Sequence, residues 1–339
     1  MGGAEGRPAG RPVPRLRLSV ERLRRRHHPR RSHLRRLTIL RGLFVTTQQK
    51  VTFPGAEATL AGNLFLPDGG SPAPGVVVAG TWTSVKELMA DRYAAALADR
   101  GYAALSFDFT GFGESGGTPR DVEDPARKVR DIHDAVTFLT SHPSVDAEPL
   151  GALGICAAAM YMADDAAHDP RIGSLALVAP WLHDAAVCAD AYGGADEVAR
   201  KITLAREARA RFARTGEIDY VPVVSGTDER AAMPYDIDFY LNPERGAVPA
   251  WPNRFAVMAW EDWLTYDSIA LAPRITQPTQ LVHSVDAAIP DGARRFHAGL
   301  AGPKAILWTE GTQFDFYDQD PQVTLAADTV AAHFGRSLR

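Results

Sequence analysis

Residues 151–168 read GALGICAAAMYMADDAAH, and this stretch decides how the rest of the chain is interpreted. A short apolar run at 151–155 is typical of a buried strand, and the alanine-rich residues after it are typical of a helix. The two predicted elements meet at Cys156, with the small residues Gly154 and Ala158 two positions before and after it. Small residues at these positions permit a sharp turn that exposes the side chain between them. The pattern therefore predicts a strand, a tight turn and a helix, with a thiol at the turn.

Cys156 would then lie at the N-terminus of the predicted helix. The helix dipole and the unpaired backbone amides at that end favour the thiolate, which is the reactive form of cysteine. The alternative is that Cys156 is a small residue of the core, which is the commoner role of cysteine. Because the small neighbours and the strand-to-helix context occur together, we interpret Cys156 as a nucleophile.

Apolar runs alternate with helix-like segments from residue 51 onward, which is typical of a mostly parallel sheet with helices on both faces. Strands are predicted at 51–53, 60–66, 75–80, 103–108, 151–155, 174–179, 280–284 and 305–308. Helices are predicted at 88–100, 125–141, 157–168, 290–300 and 321–334. The fold class is therefore α/β, because parallel strands need a crossover connection that is usually helical.

A long insertion separates the sixth and seventh predicted strands. It contains helices predicted at 196–214 and 227–240, followed by the aromatic-rich stretch WPNRFAVMAWEDWLTY at 251–266. Insertions of this length with elements of their own are usually lids or binding features. The tryptophans of this stretch either wall a pocket or pack the insertion onto the rest of the protein, and the pocket candidates are Trp251, Trp260 and Trp263.

These observations predict three parts of the chain. Residues 45–182 and 273–339 form the α/β core, and residues 183–272 form a lid or cap. Residues 1–44 are predicted to be a disordered tail, because residues 1–45 contain 13 Arg and only two acidic residues and cannot bury enough apolar surface.

Charge and composition narrow the classes of partner. The net charge is −4, but after residue 45 the chain holds 24 Lys and Arg against 39 Asp and Glu, a net charge of −15. Such an acidic body is unsuited to neutralising phosphates, so no nucleic-acid partner is expected. No apolar run approaches the ~18 residues of a membrane span, so no membrane partner is expected either. Two cysteines in 339 residues cannot build a disulfide framework, which predicts a reducing, cytoplasmic location.

Four motifs together resemble the α/β-hydrolase superfamily. They are GTWTSVKE at 80–87, FDFTGFGESGG at 107–117, GICAAA at 154–159 and HSVDAAIPDGA at 283–293. The cysteine at the turn is similar to that of dienelactone hydrolases, and the chain resembles dienelactone-hydrolase-like proteins and polyketide transferases of secondary metabolism. The resemblance implies an α/β-hydrolase fold with a helical lid, whereas it specifies the substrate hardly at all.

The same resemblance implies roles for residues at the carboxyl edge of the sheet. The backbone N–H groups of Ala157 and of the turn at Thr81 and Trp82 would form an oxyanion hole. Asp286, in the turn after the seventh predicted strand, would be the catalytic acid. Position 313 corresponds to the catalytic histidine of the superfamily, but this chain has Gln313 there.

The glutamine changes what the site can do. An amide cannot accept and return a proton at neutral pH, so the usual general base is missing. We predict that Gln313 lies beside Cys156 as a hydrogen-bond partner. His183 is the preferred replacement base, since it follows a predicted strand at the edge where α/β folds bind ligands. A buried structural role is the alternative for His183.

The function that this pattern favours is thiol-based acyl chemistry on a small-molecule ester, lactone or thioester, with hydrolysis and transfer to an acceptor both open. One alternative is a non-hydrolytic cyclase, lyase or isomerase that reuses the pocket. Another is an inactive protein that binds a small molecule. No metal or other cofactor is expected, and a homodimer is left open.

Overall fold

The structure is a computed structural model that describes residues 46–69 and 72–338. The predicted tail at 1–44 lies outside the described residues. Strands β1 to β10 are Thr47–Pro54, Thr59–Leu66, Ala73–Ala79, Ala103–Phe107, Val145–Ile155, Ile172–Val178, Tyr220–Pro222, Arg254–Ala256, Thr279–Ser284 and Lys304–Thr309. Helices α1 to α10 are Ala90–Ala98, Pro125–Thr140, Ala158–Ala166, Ala185–Ala191, Ala195–Thr215, Asp238–Leu241, Trp260–Thr265, Pro290–Gly299, Asp315–Asp318 and Gln322–Ser337. Short 3₁₀ helices occupy Lys86–Leu88, Val257–Ala259 and Ile269–Arg274.

Eight of the described strands form one sheet in the order β1-β2-β4-β3-β5-β6-β9-β10. Strand β2 pairs antiparallel with β1 and β4, and the other neighbours pair in parallel. Every residue of β4 is buried, as are all but one of the residues of β6, because helices cover both faces of a parallel sheet. The predicted α/β fold class and the predicted strands of the sheet are confirmed.

One predicted helix is wrong. Of the segment 227–240, only the last residues belong to a helix, α6, while a single bridge joins Val224 to Met233. Pro234 explains the difference, since proline lacks a backbone N–H and disfavours helical geometry in the residue before it. The helix predicted at 196–214 is confirmed as α5.

Helix α2 shows how the sequence covers the sheet. Its first residue is Pro125, and the side chain of Asp124 accepts the backbone N–H of Arg127 at 3.0 Å, which caps the helix. Its buried apolar residues recur with helical spacing at Ile132, Ala135, Val136 and Leu139. Helix α2 packs against α3, and α1 packs against α10. Among the described helices, none has the length and apolar content needed to cross a membrane.

Parallel pairing brings the ends of four strands together. Ala79 pairs with Gly154, Ile155 pairs with Val178, and Val178 pairs with Val282. The loops after β3, β5, β6 and β9 therefore meet at one edge of the sheet. Ligands of α/β folds bind at this carboxyl edge.

Candidate active site

The backbone at Cys156 makes a sharp turn between β5 and α3. Cys156 has a φ of 54°, a left-handed value that is strained for a residue with a Cβ atom. Its N–H donates to the carbonyl of Val178 at 3.1 Å, and its carbonyl accepts the N–H of Trp181 at 2.9 Å. Only glycine fits at position 154, because a Cβ there would lie 2.7 Å from the Cα of Ala159. These contacts fix the turn that presents the thiol.

Cys156 as a whole is only 6% exposed, and polar groups surround its sulfur. The hydroxyls of Thr81 and Tyr317, the amide of Gln313 and the backbone N–H of Ala157 lie within hydrogen-bonding reach of Sγ. Burial raises the pKa of the Cys156 thiol, and these hydrogen bonds offset part of that rise. The sulfur therefore has partners that stabilise negative charge, and none of the four is a general base.

The side chain of Gln313 is fixed on three sides. Its Oε1 accepts the backbone N–H of Ala288 at 3.0 Å. Its Nε2 donates to the carbonyl of Ala179 at 2.8 Å and to the hydroxyl of Tyr317 at 3.0 Å. The fold thus brings Gln313 to the sulfur, where it contacts the hydroxyl of Tyr317.

The structure does not bring Asp286 to this group. Asp286 is exposed, and its backbone N–H donates to the hydroxyl of Ser284 at 3.0 Å, whereas its carboxylate has no hydrogen-bond partner among the described residues. The turn is joined to Gln313 through the N–H of Ala288 instead. In a complete triad, a carboxylate is needed to orient the imidazole of the catalytic histidine. Because this chain has Gln313 in place of that histidine, Asp286 has no imidazole to orient.

His183 is held as a neutral structural residue. Its Nδ1 accepts the indole N–H of Trp181 at 2.8 Å, and its Nε2 donates to the carbonyl of Trp263 at 3.0 Å. Burial lowers the pKa of His183 to about 4. Since both ring nitrogens are engaged, His183 is not free to take a proton from Cys156. His283 is also buried, and burial lowers its pKa to about 4.

The loop after β3 is clamped from three directions. The N–H of Thr83 donates to Glu123 at 2.8 Å, and the carbonyl of Thr83 accepts the indole N–H of Trp251 at 2.7 Å. The hydroxyl of Ser84 donates to the carbonyl of Thr81 at 2.7 Å. Thr83 itself has a φ of 47°, so these contacts hold the loop in a conformation that an unrestrained threonine avoids.

Aromatic rings cover the loop. The ring centroid of Trp82 lies 4.8 Å from that of Phe255, 5.6 Å from that of Trp260 and 5.2 Å from that of Trp263. The indole N–H of Trp263 donates to the hydroxyl of Tyr192 at 2.7 Å. Of the three tryptophans predicted to line the pocket, Trp260 and Trp263 thus pack on Trp82, while Trp251 contacts the loop backbone. His183, which was also a candidate for the site, lies against Trp263.

Known proteins resemble this chain over most of the residues that form the sheet and the site. The family model described as serine aminopeptidase, S33, matches residues 77–236. The uncharacterized protein PA2218 of Pseudomonas aeruginosa is 29% identical over 305 residues, which cover 86% of this chain and 81% of the relative. Its crystal structure matches with a TM-score of 0.77 at 27% identity, over 86% of this chain and 94% of that one.

A further solved structure shows the fold, and a further relative shows the family. The crystal structure of the α/β hydrolase GrgF from Penicillium sp. sh18 has the same fold, with a TM-score of 0.72 at 21% identity over 86% of this chain and 99% of that one. The acyltransferase drtE of Aspergillus calidoustus is 31% identical over 251 residues, which cover 70% of this chain and 78% of drtE. The chain belongs to the α/β-hydrolase superfamily.

Sequence reasoning missed two hydroxyl groups at the candidate site of this α/β-hydrolase. Tyr317 lies four residues after Gln313, where a helical turn places both on one side, so a signal was available. Tyr240 comes from the insertion, and its hydroxyl lies 3.4 Å from the hydroxyl of Thr81. No local pattern connects Tyr240 to the loop after β3.

Among the described residues, two clusters with carboxylates could hold a cation, and in each a basic side chain of the protein already lies beside the carboxylates. Lys86 is buried and contacts Asp108 at 2.7 Å and Glu114 at 2.8 Å. In the other cluster, His133 lies near Asp165 and Asp169, and Arg171 binds Asp169. These ion pairs account for both clusters without a metal ion.

The buried carboxyl of Asp165 is expected to make stability fall as the pH rises. Burial and the neighbouring Asp169 raise the pKa of Asp165 to about 8. Between roughly pH 4 and pH 8 the folded protein therefore holds this proton more tightly than the unfolded chain does, so raising the pH through this window costs stability. Below that window, both states are protonated and the contribution is constant.

Asp165→Asn should remove this dependence. The variant is expected to gain ~2 kcal/mol in free energy of unfolding relative to the wild type between pH 5 and pH 8.5. Urea unfolding at a series of pH values measures the difference. A difference that does not change with pH would contradict the prediction.

Proposed function

We propose that this α/β-hydrolase carries out acyl transfer through a covalent intermediate on Cys156, with a small-molecule ester, lactone or thioester as acyl donor. The observation that carries the proposal is the environment of the sulfur. Sγ lies at a strained turn within reach of the Ala157 N–H and of two hydroxyl groups. This is an arrangement in which a nucleophile and donors for an oxyanion converge on one point.

In the proposed reaction, Sγ attacks the carbonyl carbon of the donor and forms a thioester on Cys156. The N–H of Ala157 and the loop at Thr81 and Trp82 would receive the developing negative charge. The clamping of this loop by Glu123 and Trp251 supports that role, since donors that are already fixed need no rearrangement when charge develops.

Transfer is favoured over hydrolysis because none of the described groups within reach of the sulfur is an imidazole. Water is a poor nucleophile without a general base, and the candidate base His183 is already engaged through both ring nitrogens. The predicted acid, Asp286, is exposed. A thiol or amine acceptor is the stronger nucleophile. The similarity to a relative named an acyltransferase supports the same choice.

The insertion at 183–272 would serve as the lid of the site. Trp260 and Trp263 pack on Trp82 at the predicted oxyanion loop, so an entering substrate would have to move them. The indole N–H of Trp82 is buried and has no acceptor among the described residues. A bound acyl group could supply that acceptor, because buried donors are normally paired.

The proposal is tested by mixing the protein with an N-acetylcysteamine thioester and measuring the mass of the intact protein. An acyl adduct is expected on Cys156, located by peptide mapping. Cys188→Ala is the matched control and should give the same adduct, because Cys188 is fully buried and burial raises its pKa to about 12. Adding an amine or thiol acceptor should release the acyl group faster than water alone does.

Other outcomes distinguish the rival functions. Binding of the thioester without any adduct would contradict acyl transfer and favour a ligand-binding protein. Conversion of a donor into a ring or an isomer without an adduct would favour a cyclase, lyase or isomerase. Release by water that is as fast as release by the acceptor would favour hydrolysis.

A further inference from the structure

We infer that the hydroxyl group of Tyr317 carries the proton during acyl transfer at Cys156, and that the site is built for a thioester donor. This inference rests on the proposed function, and it adds a catalytic residue and a substrate class to it.

The first step concerns the direction of the hydrogen bond between Gln313 and Tyr317. The backbone N–H of Ala288 can only donate and the carbonyl of Ala179 can only accept, so Oε1 of Gln313 must face Ala288 and Nε2 must face Ala179. If the amide were flipped, its NH₂ group would face the N–H of Ala288 and its oxygen would face the carbonyl oxygen of Ala179, and neither pair could form a hydrogen bond. The second N–H of Gln313 therefore points to Tyr317, 3.0 Å away.

The second step concerns what is left to the Tyr317 hydroxyl. A hydroxyl has one proton and two acceptor positions. One acceptor position of Tyr317 takes the N–H of Gln313. Its proton and its other acceptor position face the Cys156 sulfur, which lies within hydrogen-bonding reach, and the hydroxyl of Tyr240. The amide nitrogen of Gln313 also lies near the sulfur, but both of its hydrogens already have oxygen acceptors. Tyr317 can thus accept a proton from the sulfur while it donates its own.

The third step is the chemistry of acylation. The sulfur of Cys156 forms a bond to the carbonyl carbon, and the bond from that carbon to the sulfur of the donor breaks. The proton of the Cys156 thiol passes to the Tyr317 oxygen, while the Tyr317 proton passes to the departing sulfur, so the products are an acyl-cysteine and a free thiol. Transfer to an acceptor runs the same relay in the opposite direction and restores the Cys156 thiol.

The fourth step explains the thioester. A tyrosine hydroxyl is a weak acid and a weaker base, so it serves best when the two atoms that exchange the proton have similar basicity. The ordinary pKa values of a cysteine thiol and of an alkyl thiol are both near ~8.5, and burial raises that of Cys156, whereas an alkoxide is far more basic than either. A sulfur leaving group therefore needs no imidazolium, which is the group that Gln313 replaces.

The experiment compares Tyr317→Phe with Tyr93→Phe. The second variant is the matched control, because the Tyr93 hydroxyl is also buried and donates to the carbonyl of Phe316 on the same short helix, at 2.6 Å. Acylation of Cys156 is followed by rapid quench and intact mass with two thioesters, one with an alkyl thiol and one with a more acidic aryl thiol. Melting temperatures check that each variant is folded.

Tyr317→Phe is expected to slow acylation by the alkyl thioester ~100-fold, with a much smaller loss for the aryl thioester, whose leaving group needs less help from a proton. Tyr93→Phe should leave both rates near wild type. Gln313→Glu is a second variant that keeps the hydroxyl. Its carboxylate offers Tyr317 an acceptor instead of a donor, so the Tyr317 hydroxyl should donate its hydrogen bond to residue 313 and not to the departing sulfur. The variant should therefore show the same dependence on the leaving group.

The possible failures are distinguishable. Equal losses with both thioesters would mean a structural role for Tyr317. No loss in either variant would mean that another group moves the proton. Either result would overturn the inference and leave the proposed function standing. If the wild type forms no adduct with either thioester, the proposed function fails and the inference fails with it.

Discussion

Cys156→Ser is expected to lower the rate of acyl-enzyme formation at least ~1000-fold. A serine hydroxyl is a much weaker acid than a thiol, whose ordinary pKa is ~8.5, and it becomes a nucleophile only when a neighbouring base removes its proton. The groups within reach of position 156 are two hydroxyls, an amide and a backbone N–H, so the serine would keep its proton. In a site with an intact imidazole the same exchange would be far less damaging.

Rapid-quench mass spectrometry with an alkyl thioester measures this loss. Cys188→Ser is the control, since it makes the same exchange at a buried cysteine outside the site and should keep the wild-type rate. If Cys156→Ser retained a tenth of the wild-type rate, the site would contain a base, and proton transfer by Tyr317 would be contradicted.

The fold was predictable because its signals are local. Each buried strand is a short apolar run, and the turn at Cys156 requires small residues that stand two positions away, including Gly154. Helix α2 carries its own start signal in Asp124 and Pro125. The helix predicted at 227–240 is wrong because Pro234 prevents a helix through the middle of that segment.

The site was predictable only in part, because its contacts join distant parts of the chain. Gln313 could be placed near Cys156 because the resemblance puts position 313 where the superfamily has its catalytic histidine. The exposure of Asp286 and the burial of His183 depend on packing that no local pattern reports. The same is true of Tyr240, which comes from the insertion, and of Glu123, whose contact with Thr83 spans 40 positions.

Lys128→Met is expected to lower the free energy of unfolding by ~3–5 kcal/mol. Lys128 and Glu123 are both buried, and Nζ of Lys128 contacts both carboxylate oxygens of Glu123 at 2.8 Å. Nζ also lies over the rings of Phe109 and Phe112, 4.6 and 4.5 Å from their centroids. Methionine fills a similar volume, so the loss would come from leaving the Glu123 charge buried without its partner.

Urea unfolding followed by tryptophan fluorescence measures this loss, and Lys50→Met is the matched control. Lys50 makes an exposed ion pair with Glu114, with 75% of its side chain accessible, so its removal should cost less than ~1 kcal/mol. A similarly small loss for Lys128→Met would contradict the prediction.

The double variant Glu123→Gln/Lys128→Met separates the charge from the hydrogen bonds that Glu123 makes. A glutamine keeps an oxygen that can accept the N–H of Thr83, and it carries no charge to be stranded. Most of the lost stability should therefore return, to within ~1 kcal/mol of the wild type, because replacing both members of a buried ion pair is often close to neutral. If the double variant were as unstable as Lys128→Met alone, the loss would come from packing around Lys128 rather than from an unpaired charge. If it were stable but slow in acylation, the carboxylate of Glu123 would be needed to hold the loop at Thr83 in position for the oxyanion.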